Sequence, residues 1–227
     1  MIDPTELIFV QLLERFPVDA GDMRPDLDSG IALARDIVTK KALVDKEKTF
    51  SEQGKVEAMQ KFAADSATRF VKFWQAVLAW KARLDNAESA LIPTAGEKDS
   101  ASAEIRSFYR TQIAKMGMAQ RLAFVSRTSD ANVILAITEI DKMALGIDER
   151  SWQQIMNAWL NNSKAKELKN IETLKAAFGI LTTIYNVARG QLLIASGNRG
   201  GNMAAFREFL VTNSGLNFAK TANLDVG

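Results

Sequence analysis

The sequence predicts an all-α protein: a multi-helix bundle with one very long helix at about residues 50–92 and an extended C-terminal arm. Three observations carry this reading. Apolar residues recur at steps of three, four and seven through most of the chain. The four prolines fall between elements or in a first turn. Runs that could be strands, such as Ala123-Phe124-Val125 or Asn132–Ile137, lack sustained alternation between turn signals.

The elements follow in order. Asp3-Pro4-Thr5-Glu6 opens a first helix: Asp3 suits the N-cap, Pro4 the first helical position and Glu6 completes a capping box. Leu7, Ile8, Val10, Leu12 and Leu13 follow, and Phe16-Pro17 stops the helix. Residues 17–25 read as loop. A second helix is expected from about Leu27 to Asp45, burying Ile31, Leu33, Ala34, Ile37, Val38 and Leu43.

Thr49-Phe50-Ser51-Glu52 reads as another capping box, and no proline follows until Pro93. The stripe Val56, Met59, Phe62, Phe70, Phe73, Val77, Leu84 and Leu91 predicts one helix of some 60 Å, at about 1.5 Å per residue. Such a helix must kink, with Gly54 a candidate, or protrude to meet something. Phe70, Phe73, Trp74 and Trp80 form an aromatic girdle too wide for one narrow stripe, so part of it is a candidate contact anchor.

Ile92-Pro93-Thr94-Ala95-Gly96 is the clearest linker, and two packed halves are expected to meet there. Beyond it, Asp99, Ser100 and Ser102 offer caps for a helix carrying Ile105 through Phe124. Thr128-Ser129-Asp130 restarts the chain into Val133–Leu145, with Gly146 as a C-terminal glycine. Asp148 caps a helix holding Trp152, Ile155, Met156 and Trp159, which ends at Asn161-Asn162-Ser163. A long helix spans about Lys164 to Ser196. The expected organisation is therefore an N-terminal helical region (1–92), a C-terminal helical bundle (97–196), and a hinge with a docking arm (197–227).

Composition bounds the chemistry. Of 227 residues none is His or Cys. This excludes a Ser-His-Asp or Cys-His triad, His-ligated zinc or haem, disulfides and iron–sulfur clusters. No cofactor and no metal site is expected, and the chain is not expected to be an enzyme. Hydrophobic residues at 47% and charged residues at 25% match a globular protein. The formal charge is +2, too slight for the basic stripe of a typical nucleic-acid binder. Residues 1–48 lean acidic and residues 93–196 lean basic, a dipole that could orient copies head to tail.

The apolar stretch Ala176–Ala195 is interrupted by Asn186, Arg189 and Gln191, so it reads as a core helix and no membrane partner is expected. The opening Met1-Ile2-Asp3-Pro4 lacks a basic segment, so a secretory leader is not expected; the cytoplasm, or a virion if the protein is viral, is the expected location.

Gly197-Asn198-Arg199-Gly200-Gly201-Asn202 reads as a hinge. It lacks the Lys-Ser/Thr of a nucleotide-binding P-loop and has no preceding strand. Ser163-Lys164-Ala165-Lys166 matches the Ser-x-x-Lys pattern of penicillin-recognising enzymes, but its partner motifs are missing and an N-cap is the better reading. Asp19, Asp22, Asp26 and Asp28 form an acidic cluster in a loop, without the spacing of an EF-hand.

Two sets of residues remain as candidates. In the arm, Met203, Phe206, Phe209 and Leu210 lie on one face of a short amphipathic segment, followed by Leu216 and Phe218; these are the expected partner-binding anchors. Arg106, Arg110, Arg121 and Arg127 form a basic helix face that could track phosphates. The expected function is a non-enzymatic structural subunit of a multi-copy assembly such as a phage or viral particle. It would be held by helix packing and the arm, with other copies of itself or other structural proteins as partners, as a homo-oligomer. The alternative is a helical, nucleoprotein-like nucleic-acid-binding protein that uses the four arginines.

Overall fold

The computed structural model describes residues 4–93, 100–139, 147–198, 200–215 and 224. Among these residues the regular structure is all helical: α1 (Pro4–Glu14), a 3-10 segment (Val18–Met23), α2 (Arg24–Lys46), α3 (Glu52–Ser89), α4 (Ser100–Ala114), α5 (Met118–Val125), α6 (Ala131–Thr138), α7 (Glu149–Ser163), α8 (Ala165–Ala195) and α9 (Met203–Ser214). No helix of the described residues is long and apolar enough to cross a membrane.

The long helix is present as α3, 38 residues and about 57 Å long. Its cap differs in detail from the sequence expectation. Ser51, not Thr49, takes the N-cap role, its Oγ accepting from Gly54 N at 3.1 Å, while Thr49 donates to Glu47. Asp148 and Asp130 cap α7 and α6 through the amides of Ser151 (2.7 Å) and Asn132 (2.9 Å). The segment expected as one helix through Phe124 is two: α4 ends at Ala114, and Gly117, extended at ψ 165°, starts α5 with its amide donating to Gln120 Oε1 at 3.0 Å. Ile140, Leu145 and Gly146, expected to continue and end α6, lie outside the described residues. Asp26 and Asp28 lie in the first turns of α2 rather than in a loop.

The chain divides into two compact units, Met1–Leu84 with Thr173–Gly227, and Asp85–Glu172. The first unit is thus built from both ends of the sequence. Its core gathers Phe9 from α1, Leu27, Ile31 and Ile37 from α2, Phe70, Phe73 and Val77 from α3, Leu181, Ile184 and Tyr185 from α8, and Phe206 and Leu210 from α9. An aromatic cluster lies within it. Phe70 stacks on Tyr185 with ring centroids 5.6 Å apart and meets Phe206 edge-on at 5.9 Å, arrangements that add to plain burial. The second unit packs Ile113, Val125, Val133, Ile134, Ile137, Ile155, Met156 and Trp159 around a smaller core.

Candidate functional site

The C-terminal half of α2, the start of α3 and the end of α8 enclose a half-open cavity of about 280 Å³ in the first unit. Its walls are mainly apolar: Ile37, Val38 and Val44 from α2, Val56 and Met59 from α3, Ile194 and Ala195 from α8. Ile194 stands 55% exposed among them, a large apolar side chain left in water. Two ion pairs, Lys41 with Asp45 and Lys55 with Glu52, add charges of both signs to the lining. Lys55 donates to Glu52 Oε1 at 2.7 Å, and this hydrogen bond, with the charges of Glu52 and Asp45, holds Lys55 above the ordinary lysine range. Lys55 therefore stays cationic at neutral pH. Gly197, at φ 89°, also lines it, in a backbone conformation that a side chain would strain. Gln191 also lines the cavity, and its Oε1 is buried without a hydrogen-bond partner.

Apolar side chains are also left outward on two helices. On α1, Phe9, Leu12 and Leu13 turn to the core, while Leu7 and Val10, one turn apart, are 50% and 42% exposed. On α4, Arg106 and Ile113 turn inward, while Ile105 and Phe108, again one turn apart, are 45% and 59% exposed. Pairs at this spacing form a face, unlike single exposed apolar residues such as Val18.

The residues singled out in the tail are placed as follows. Phe206 and Leu210 are completely enclosed in the core of their own chain, and Met203 and Phe209 pack against that core while partly exposed. The expectation of anchors offered outward is corrected at Phe206 and Leu210: their apolar surface is already buried against α3 and α8. Asn202 caps α9 through the amides of Ala204 and Ala205, both at 3.1 Å, and Thr68 Oγ1 donates to Ser214 O at 2.6 Å where α9 ends. Leu224, 2% exposed, is held by its carbonyl, which accepts from the Tyr185 hydroxyl at 2.7 Å and Arg189 Nη1 at 2.9 Å. Leu216 and Phe218 lie outside the described residues.

The four arginines do not form one exposed basic face. Arg106 is 7% exposed, with Nε 2.8 Å from Glu139 Oε1, and Arg110 Nη1 donates to the same carboxylate. Arg121 is 8% exposed and donates from Nε to the Ile113 carbonyl at 3.1 Å. The expectation of a phosphate-tracking face is corrected at Arg106 and Arg121, whose burial takes them out of reach of a polynucleotide. Arg127 alone of the four is fully on the surface.

The aromatic girdle and acidic cluster are also accounted for. Phe70, Phe73 and Trp74 belong to the core, and Trp80, 9% exposed, donates from Nε1 to Asp26 Oδ2 at 2.8 Å beneath the guanidinium of Arg83. Asp28 pairs with Arg24 at 2.9 Å. Among the described residues no group of three or more acidic side chains is placed to hold a metal ion. Ser163 Oγ lies 3.4 Å from the Thr128 carbonyl, a structural contact at the end of α7.

Sequence reasoning missed the cavity. Its walls come from residues near 40, 55 and 194, and no local spacing signals that α8 returns to α2 and α3. Exposed Ile105 and Phe108 were within reach of a helical-wheel argument, since Arg106 and Ile113 mark the opposite face. No family model, curated protein or solved structure matches this chain.

Proposed function

We propose that the chain is a non-enzymatic structural subunit that assembles with further copies of itself, in the manner of a component of a phage or viral particle. The observation that carries this reading is the pair of apolar side chains held outward on α4, Ile105 and Phe108, where water gains nothing from them. Leu7 and Val10 on α1 repeat the arrangement elsewhere on the chain. The acidic lean of residues 1–48 and the basic lean of residues 93–196 favour copies meeting through unlike surfaces rather than like ones. The tail contributes to the subunit's own stability in this reading, since its described apolar residues are built into the core.

Sedimentation equilibrium of the full chain across micromolar concentrations tests the proposal. A mass that rises with concentration above that of one 25.0 kDa chain is expected. A single-chain mass at every concentration overturns it.

A further inference from the structure

We infer that the C-terminal arm, α9 with Leu224, is exchanged between two copies, the arm of each completing the α3–α8 core of the other through the contacts it makes on its own chain. This inference rests on the assembly reading above and names one of its contacts.

The arm and the turn that carries it are held by separate sets of bonds. On the core side, Phe206 meets Phe70 of α3 with ring centroids 5.9 Å apart, and Thr68 Oγ1 donates to the Ser214 carbonyl at 2.6 Å. The Tyr185 hydroxyl and Arg189 Nη1 of α8 donate to the Leu224 carbonyl. Phe206, Leu210, Ser214 and Leu224 are each at most 3% exposed, so an arm that leaves this seat needs an equivalent one. The turn is held locally instead. Gly197 N donates to Ile194 O at 3.1 Å and Asn198 N to Leu193 O at 3.2 Å, the paired bonds of a helix-ending glycine motif. Gly201 N then donates to Asn198 O at 3.1 Å. Gly197 and Gly201 take φ of 89° and 70°, the left-handed region that disfavours every residue with a β-carbon.

The α3–α8 seat is the same in every copy, so the arm's contacts are equal in either arrangement. Only the tether favours its own chain. A short glycine-rich tether holds its arm at an effective concentration on the order of 1 mM, so copies packed at that density in an assembly compete for it. Exchange also releases the glycines from the ordered turn, which offsets part of the cost of joining two chains. The exchange is reciprocal and closes as a two-fold pair, with Phe206 and Leu210 enclosed as they are in a single chain.

Because the chain has no cysteine, a disulfide reports the exchange. Thr68→Cys and Ser214→Cys are placed on separate chains; Thr68 is half-buried and Ser214 3% exposed, which protects both from chance collisions. Co-expressed, concentrated to about 1 mM and oxidised, the two variants are expected to give a linked heterodimer on a non-reducing gel. One chain carrying both substitutions is the control, since it closes the same disulfide within itself. No heterodimer beside a control that closes overturns the exchange, and a mass that still rises with concentration leaves the assembly reading standing. A chain that stays single at every concentration removes both.

A second measurement does not depend on the disulfide. A β-carbon at Gly201 meets no neighbour within 4 Å, so Gly201→Ala burdens the closed turn alone. It is expected to lower the concentration at which two-chain species appear in sedimentation by about fivefold or more. Unchanged or weakened association by Gly201→Ala overturns the exchange.

Discussion

Gly30 of α2 lies against the ring of Phe73 in α3 so closely that a β-carbon added to it would overlap ring atoms Cζ and Cε1 and come within 2.8 Å of Cε2. Phe73 is 3% exposed and cannot swing into solvent without leaving the core. Glycine inside a helix costs about 1 kcal/mol relative to alanine, so its presence here marks a packing requirement. Gly30→Ala is expected to destabilise the protein by about 1–3 kcal/mol, the range for overpacking, despite the gain in helix propensity. Adding Phe73→Leu should recover part of the loss, and denaturant titration of the two single variants and the double variant measures the coupling.

The Tyr185 hydroxyl and Arg189 guanidinium both donate to the Leu224 carbonyl. Tyr185→Phe should cost about 1 kcal/mol, the net worth of one hydrogen bond, because Arg189 still satisfies the carbonyl. Leu224→Ala should cost more, about 2 kcal/mol or above, since a nearly enclosed side chain is lost. Chemical denaturation ranks the two; equal stability of Leu224→Ala and the parent would show that the tail is not seated.

Removal of everything beyond Ser196 takes Phe206 and Leu210 out of the core. The truncated chain is therefore expected to lose the cooperative unfolding of its first unit, seen as a broadened transition by near-ultraviolet circular dichroism. Detachment of a mere appendage would leave that transition unchanged.

Arg106 is nearly enclosed and depends on Glu139, which also serves Arg110. Glu139→Gln leaves a buried guanidinium without its counter-charge, and a loss of about 3–5 kcal/mol is expected. Replacing both members, Arg106→Met with Glu139→Leu, should recover most of it. Thermal unfolding of the single and double variants gives the comparison.

Two groups set opposite pH dependences. The amide of Ser151 donates to Asp148 and holds its carboxyl below the usual range, so this contribution is present above the unfolded value and lost as pH falls through the folded one. Tyr109 donates to Asp130 at 3.0 Å, and this bond, with burial and the Asp130 charge, raises the phenol above its ordinary value. That contribution is present below the unfolded value near pH 10 and lost as pH rises through the folded one. Asp148→Asn, which still caps the helix, should flatten the acid side of a stability profile, and Tyr109→Phe the alkaline side.

Helix identity could be read from the sequence because its determinants are local. Asp148, Asp130 and Pro4 each mark a helix start that the structure shows, and Asn161-Asn162-Ser163 marks an end. What failed was anything depending on distant partners. Met203–Leu210 has the same amphipathic pattern whether its apolar face meets a neighbour or its own chain, and it takes core residues far off in sequence, such as Phe70 more than a hundred residues away, to draw Phe206 inward. Arg106 and Arg121 look like surface charges until Glu139 and the Ile113 carbonyl are brought to them. The cavity is the extreme case, since three helices must meet before it exists.

The first unit draws its core from both ends of the chain, and this governs when it can form during synthesis. After Leu84 emerges from the ribosome, roughly 120 more residues must be translated before Phe206 appears, on the order of 6–25 seconds at about 5–20 residues per second. Through that interval α2 and α3 can pack on each other but lack the cover that α8 and α9 supply, so part of their aromatic and aliphatic surface stays open to water. The second unit, contiguous in sequence, is free to fold while the first is still waiting.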